Sequence, residues 1–409
     1  MNISVSSWMS RVFANRVDCP VSLVAQHTHQ LRMGQWFRCP STGFGPFYSA
    51  RCAFSETLRF KEHCACAVFL LAERHVHPYL LKKPNQETRL ETIMSTAPKE
   101  AHAGGVQKAF APPRDFTWQS ADGLQLYGRN WIVDSPPDEA GIPVVCLPGL
   151  SRNSRDFNDI AHYLQEQNHH VIALDYRGRG KSDWDSDWRN YALPIEENDI
   201  ALAIEKLGLK RFAVLGTSRG GLHALVMAGR YPAEQMAGVI FNDVGPHIEM
   251  RAVHRIAATL GHRMSAGSLE QVAENLEHTI GLQFPAFVGK DWLKLAGQLA
   301  SESKDGFVMD YDPALAHQFA SLDDAAPAPD LWPLYDRLID RPVMVIHGEK
   351  SDLLSADTCK RMIETHPNAR LKTISGQGHA PVLWETDTHE AVARFLRELC
   401  PVKHSKNRS

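Results

Sequence analysis

The stretch that most constrains this chain is Phe212 to Leu222, which reads F-A-V-L-G-T-S-R-G-G-L. Phe212 to Leu215 form a short apolar run that fits a buried strand, and Leu222, Ala224, Leu225 and Ala228 suit the inner face of a helix. Between them lies Gly216-Thr217-Ser218-Arg219-Gly220, a G-x-S-x-G pattern. A Ser held in a sharp strand-to-helix turn needs neighbours without bulk, and the two glycines supply that. Such a turn lifts the Ser218 hydroxyl above the sheet edge and aims the Arg219 amide N–H at whatever the hydroxyl attacks. The alternative is an ordinary turn that contains a serine, so the rest of the chain has to decide.

Composition is that of a globular protein: 409 residues, 44% hydrophobic and 22% charged. That length is ample for one large core or two smaller ones. A net charge of −3 provides no field to draw nucleic acid or an anionic membrane. No apolar run approaches the ~18 residues of a membrane-spanning helix. The expected partner is therefore a small-molecule substrate, with no nucleic acid and no stable membrane insertion, and the oligomeric state stays open. Of the eight cysteines, Cys146, Cys359 and Cys400 alone follow residue 66, too scattered for a disulfide framework. That distribution suits a reducing compartment, and a cytoplasmic location is expected.

Residues 1 to 112 differ from the rest of the chain: their apolar pieces, such as Ala67 to Leu71, are short and isolated. Three readings are open. The segment is not native structure and Met94 is the true start, the residues after it being small and polar like a loose N-terminus. Alternatively it targets an organelle, since Val5, Trp8, Met9, Val12 and Phe13 recur at helical spacing beside Arg11 and Arg16, with Asp18 the only acid before Glu56. The third is a small metal module built on His63, Cys64, Cys66, His75 and His77, although paired C-x₂-C spacings are missing.

From Phe116 the rhythm becomes regular. Phe116 to Ser120 and Leu124 to Trp131 flank Ala121-Asp122-Gly123 and predict a hairpin. Strands are predicted at Ile142 to Leu147, His170 to Asp175, Phe212 to Leu215, Ala237 to Asp243, Pro342 to His347 and Ala369 to Ile374. Helical faces fall between them, at Phe157, Ile160, Ala161 and Leu164 and at Ile200, Ala203, Ile204 and Leu207, and a final one follows the last strand, at Val392, Phe395, Leu396 and Leu399. Between Gly245 and about Asp330 the strands stop, the pattern reads as several short helices, and Ala326 to Pro329 looks like an exit linker. Alternation of this kind predicts an α/β fold, a mostly parallel eight-stranded sheet with helices on both faces and one helical insertion. The expected divisions are an N-terminal extension (1–112), a first core part (113–245), a helical cap (246–330), a second core part (331–400) and a loose tail (401–409).

In such sheets ligands bind at the carboxyl ends of the strands. Gly348-Glu-Lys-Ser-Asp352 follows one predicted strand and Ser375-Gly-Gln-Gly-His379 another, giving Ser218, Asp352 and His379 in chain order. A serine hydroxyl needs an imidazole to take its proton, and the imidazole needs a carboxylate to fix its tautomer. Asp243, at the end of the strand before the insertion, is the alternative acid. Pro148-Gly149-Leu150 follows an earlier strand end, so the amide N–H of Leu150 is expected to join that of Arg219 as an oxyanion hole. No cofactor and no metal is implied.

These motifs resemble the α/β-hydrolase fold superfamily, in its esterase- and lactonase-like branch with a helical cap. The resemblance is carried by Leu147-Pro-Gly-Leu150, Asp175-Tyr-Arg-Gly-Arg-Gly-Lys-Ser182, Gly216-Thr-Ser-Arg-Gly220, Gly348-Glu-Lys-Ser-Asp352 and Gly378-His379, over about 70% of the chain. It implies Ser218 as nucleophile, His379 as base, Asp352 as acid and 246–330 as a cap over the pocket. Many members carry His where this chain has Pro148, so the support of that loop is expected to differ. The resemblance implies a serine hydrolase acting on a small ester, thioester or lactone. Carbon–carbon bond hydrolysis of a dienoate-type diketone, acyl transfer, and a non-catalytic ligand-binding role are the alternatives. Epoxide hydrolases and haloalkane dehalogenases use an Asp where this chain has Ser218.

Arg177-Gly-Arg-Gly-Lys-Ser182 imitates the end of a phosphate-binding loop, but Asp175 stands where the first glycine is required. His247, Arg251, Tyr311 and Trp332 are candidates to face substrate from the cap. The side chains of Arg219, Arg152 and Asn153 are candidates to hold a substrate carboxylate.

Overall fold

The computed structural model describes residues 112–400, apart from 137–139, 262–264, 321 and 323–327. The Met94 start, the targeting reading, the Cys/His module, the first half of the Ala-Pro linker and the tail lie outside the described residues.

Eight strands form the main sheet: β1 (Arg114–Gln119), β2 (Gln125–Trp131), β3 (Gly141–Leu147), β4 (His169–Asp175), β5 (Phe212–Thr217), β6 (Met236–Asn242), β10 (Val343–Gly348) and β11 (Ala369–Ile374). Their spatial order is β1-β2-β4-β3-β5-β6-β10-β11. The hairpin β1–β2 joins β4 antiparallel, and every pairing from β4 to β11 is parallel. The sheet predicted from the alternation is the one found.

Side chains alternate across this sheet with the strand period of two. Val145, Leu147, Phe212 and Val214 enter one apolar layer, together with Ile200 and Ile204 of helix α2 (Leu193–Lys206) and Leu225 of helix α3 (Arg219–Met227). Val144, Cys146, Ala213 and Leu215 enter the opposite layer, against Ile160 and Leu164 of helix α1 (Asn158–Glu166) and Phe395 and Leu396 of helix α8 (Thr386–Leu399). Each fully buried aliphatic or aromatic side chain contributes about 1.5–3 kcal/mol. Helix α7 (Ala356–Thr365) also joins the first layer, through Cys359 and Met362. The sequence reading passed over this helix, although Ser355 caps it by accepting from the Thr358 N–H.

The insertion between β6 and β10 departs from the expectation of helices alone. It holds α4 (Met250–Thr259), α5 (Leu269–Ile280) and α6 (Gly289–Leu299), and also a three-stranded antiparallel sheet of β7 (Ser265–Ala266), β9 (Gly306–Met309) and β8 (Ala300–Ser303). Strands of two to four residues are too short to show alternation in sequence. The insertion carries its own core, in which Phe284, Trp292, Leu295 and Leu299 are buried. Arg155 of the core pins it by donating to the carbonyls of Gln298 (3.0 Å) and Ala300 (3.1 Å) and pairing with Asp310 (2.7 Å). Among the described residues no helix is long and apolar enough to cross a membrane.

Candidate active site

Ser218 sits where β5 gives way to α3, with φ +51° and ψ −112°, a conformation that L-residues adopt only under local strain. Its neighbours make that possible: a Cβ on Gly216 would run into the backbone of Gly220, and one on Gly220 into the carbonyl of Leu147. The turn is therefore closed against the end of β3, and Gly149 of the next loop lies beside the Ser218 side chain.

β5 and β6 pair in register so that Thr217 lies opposite Asn242. The next residues, Ser218 and Asp243, thus leave the sheet at one level. His379 arrives from the loop after β11. Its Nε2 lies 2.9 Å from Ser218 Oγ, and its Nδ1 lies 2.8 Å from Asp243 Oδ2. An ionised carboxylate only accepts, so Nδ1 carries the proton and Nε2 is left to accept from the serine hydroxyl. The Asp243 side chain is fully buried. It also accepts from the Gly348 N–H (2.8 Å) and from the Ser351 hydroxyl (2.7 Å).

Here the structure corrects the expectation for Asp352. Asp352 is the carboxylate predicted behind His379, but it makes a two-pronged pair with Arg255 of α4, at 2.6 and 2.7 Å. The reason lies in its loop. Gly348 and Ser351 turn inward to donate to Asp243, and Leu353 and Leu354 are buried behind them, which directs Asp352 toward the insertion. Burial opposes charge on Asp352, but the Arg255 guanidinium outweighs it and holds the carboxyl below its usual range.

The His379 loop is fixed from two sides. Asn242 Nδ2 donates to the Pro381 carbonyl at 2.9 Å. From the insertion, Gln283 accepts the Gly378 N–H on its carbonyl (2.6 Å) and the His379 N–H on Oε1 (2.9 Å). Gln283 escaped the sequence reading, because nothing in its surroundings marks a contact 96 residues away.

The Leu147–Leu150 loop is also tied down despite Pro148. Tyr176 Oη donates to the Pro148 carbonyl (3.1 Å), the Arg152 N–H to the Gly149 carbonyl (3.2 Å), and Arg179 Nε to the Leu150 carbonyl (2.8 Å).

The other candidates find other partners. The Arg219 side chain is buried, donating to Glu196 and to the Tyr191 carbonyl (both 2.6 Å), so it is withdrawn from substrate. Arg152 pairs with Asp156. Asn153 caps the turn Ser154–Phe157 and donates to the Gln298 carbonyl. Tyr311 is buried with Tyr191, Leu260 and Leu315, in the cluster against which Leu150 packs. Trp332 packs edge-on against Tyr335, under the Arg361 guanidinium. His247 is half-buried, 4.0 Å from Glu249, and Arg251 is exposed. The Arg177–Ser182 turn holds no phosphate cradle: Arg177 is spent on Asp122, Asp185 and Asp199.

Residues 142–386 match the family model described as alpha/beta hydrolase fold, well over half of the chain. The protein belongs to the α/β-hydrolase fold family. It is 32% identical over 245 residues to the 3-hydroxybutyrate-oligomer hydrolase of Cupriavidus necator, covering 58% of this chain and 82% of that one. It is 26% identical over 234 residues to the 2-(acetamidomethylene)succinate hydrolase of Mesorhizobium japonicum, covering 56% and 79%. A solved α/β hydrolase from Novosphingobium aromaticivorans superposes with a TM-score of 0.64 at 34% identity, over 70% of this chain and 99% of that one.

Proposed function

We propose that the protein is a serine hydrolase that cleaves a small ester through an acyl-enzyme on Ser218. The observation that carries this reading is the unbroken chain of hydrogen bonds from Ser218 Oγ through His379 to Asp243. In this mechanism His379 Nε2 takes the hydroxyl proton as Oγ attacks the substrate carbonyl. Asp243 holds the imidazole tautomer and stabilises the imidazolium, and the Gly348 and Ser351 donors fix its carboxylate in place. The developing oxyanion is received by the N–H groups of Leu150 and Arg219, each such donor being worth about 2.7–4 kcal/mol. His379 returns its proton to the leaving alkoxide, and the acyl group stays on Oγ. Water then attacks the acyl-enzyme, giving its proton to His379 Nε2, and Oγ leaves with that proton.

Asp243 takes the role of acid and Asp352 does not. The insertion 246–330 acts as a cap, since its Gln283 reaches the His379 loop and its α4 reaches Asp352. Similarity to a hydrolase of 3-hydroxybutyrate oligomers favours an oxygen ester of a short hydroxy acid over a thioester or lactone. The three described cysteines are unpaired, in keeping with action in a reducing compartment.

The test is hydrolysis of a panel of p-nitrophenyl acyl esters, 3-hydroxybutyrate dimers and trimers, lactones and thioesters. Wild type is expected to cleave the short esters and the hydroxybutyrate oligomers, and Ser218→Ala to cleave none. Equal turnover by the two proteins overturns the proposal.

A further inference from the structure

The motif Asp175-Tyr-Arg-Gly-Arg179 touches no reacting atom in this mechanism, and a fully buried carboxylate sits behind it. Glu196 of α2 is fully buried, as is Arg179. Glu196 Oε1 accepts from Arg179 Nη1 at 2.6 Å, and Oε2 accepts from Arg219 Nε at 2.6 Å and lies 3.1 Å from His223 Nε2. Burial opposes the charge on Glu196, but the two guanidiniums outweigh it and hold the carboxyl well below its usual range.

The far ends of those guanidiniums matter most. Arg179 Nε donates to the Leu150 carbonyl, and Arg219 Nη2 anchors on the Tyr191 carbonyl. Leu150 and Arg219 are the two residues whose N–H groups receive the oxyanion. One carboxylate therefore reaches both residues, each through a single arginine. On the Leu150 side the restraint is close to complete. The peptide bearing the Leu150 N–H lies between a Pro148 carbonyl held by Tyr176 and a Leu150 carbonyl held by Arg179, and its own carbonyl is held by Arg152.

We propose that Glu196 is a positioning residue for catalysis: with Arg179 and the Arg219 side chain it forms a buried clasp that sets the spacing of the two oxyanion donors. The proposal rests on the serine-hydrolase reading. Donor placement governs rate, and a displacement of about 1 Å costs about 10²-fold. Removing one member of a buried ion network lowers stability whatever its role, but a network that is only structural leaves the rate and the oxyanion affinity of the folded protein unchanged. A clasp and a structural network therefore predict different things.

The test compares wild type, Glu196→Gln and Arg179→Lys in three measurements: kcat and KM on a short activated ester, the inhibition constant of a trifluoromethyl ketone, and the thermal midpoint. The ketone carbon bonds to Ser218 Oγ, the serine proton passes to His379, and the resulting oxyanion occupies the hole. Glu196→Gln cannot accept from both arginines, and Arg179→Lys keeps a cation beside Glu196 but loses the geometry that also reaches Leu150. Both are expected to lose about 10- to 100-fold in kcat and in ketone affinity together, with KM and the acid limb of the pH profile unmoved. The sign is informative, because removing a negative charge near an oxyanion would by electrostatics alone tighten ketone binding. If Glu196→Gln fails to fold, Arg179→Lys carries the test. Variants that melt earlier but keep kcat and ketone affinity overturn the clasp. A wild type that does not bind the ketone overturns the serine-hydrolase reading and the clasp with it.

Discussion

His379 Nδ1 lies 2.8 Å from Asp243 Oδ2, and Asp243 closes the strand next to the one that delivers Ser218. The base and its carboxylate are thus set by the register of β5 and β6, with His379 crossing over from beyond β11. The buried carboxylate accepts three hydrogen bonds, from His379, Gly348 and Ser351. Such a group is costly to move and well suited to hold an imidazole through a catalytic cycle.

Asp243→Asn should lower kcat by about 10⁴, since an amide stabilises the wrong tautomer of His379. Asp352→Asn should leave kcat within about threefold and reduce stability by about 1 kcal/mol, as expected for a partly exposed pair. Steady-state kinetics on the two variants side by side checks this. A large loss confined to Asp352→Asn would restore the acid expected from the sequence.

Gln283→Ala should reduce kcat about tenfold. Its side chain accepts the His379 N–H from the insertion, so its loss frees the imidazole without touching the reacting atoms. The lost hydrogen bond should cost about 1 kcal/mol of stability. Kinetics and thermal unfolding of the same preparation separate the two effects.

Gly220→Ala should destabilise the protein by about 3 kcal/mol or more, because its Cβ would overlap the Leu147 carbonyl oxygen at the end of β3. Denaturant unfolding measures the loss. A variant of wild-type stability would mean that the turn is looser than its geometry indicates.

His223 predicts a pH dependence of stability. Burial lowers its pKa from 6.5 to about 4, against the pull of Glu196. The neighbours facing it are Glu196, the Tyr176 ring, Arg219 and Arg179. Between those two values the unfolded chain binds the proton and the folded chain does not. The contribution is therefore complete above pH 6.5 and is lost as pH falls toward 4, up to about 3 kcal/mol. Urea unfolding at pH 7.5, 6 and 5 should show this slope, and His223→Gln should flatten it.

Much of this architecture was legible because it is local. The elbow declares itself in eleven consecutive residues, Phe212 to Leu222, and the strand rhythm in short apolar runs. His379 was legible because its loop follows a clear strand. The choice between Asp243 and Asp352 was not. Both follow adjacent parallel strands, β6 and β10, and only the inward turn of Gly348 and Ser351 decides which carboxylate meets the imidazole. Glu196 was equally hidden. It occupies an ordinary helical position, and its partners lie 17 and 23 residues away, one in the loop after β4 and one at the start of α3, so no periodicity reveals them. The small sheet of the insertion was lost for lack of length.

The central claim is that Ser218 is the nucleophile. Its most direct measurement is mass spectrometry of the protein after exposure to a fluorophosphonate, followed by peptide mapping. One adduct per chain is expected, on the peptide containing Ser218, formed slowly in Asp243→Asn and absent in Ser218→Ala. An adduct on another residue, or equal labelling of Ser218→Ala, would contradict the account.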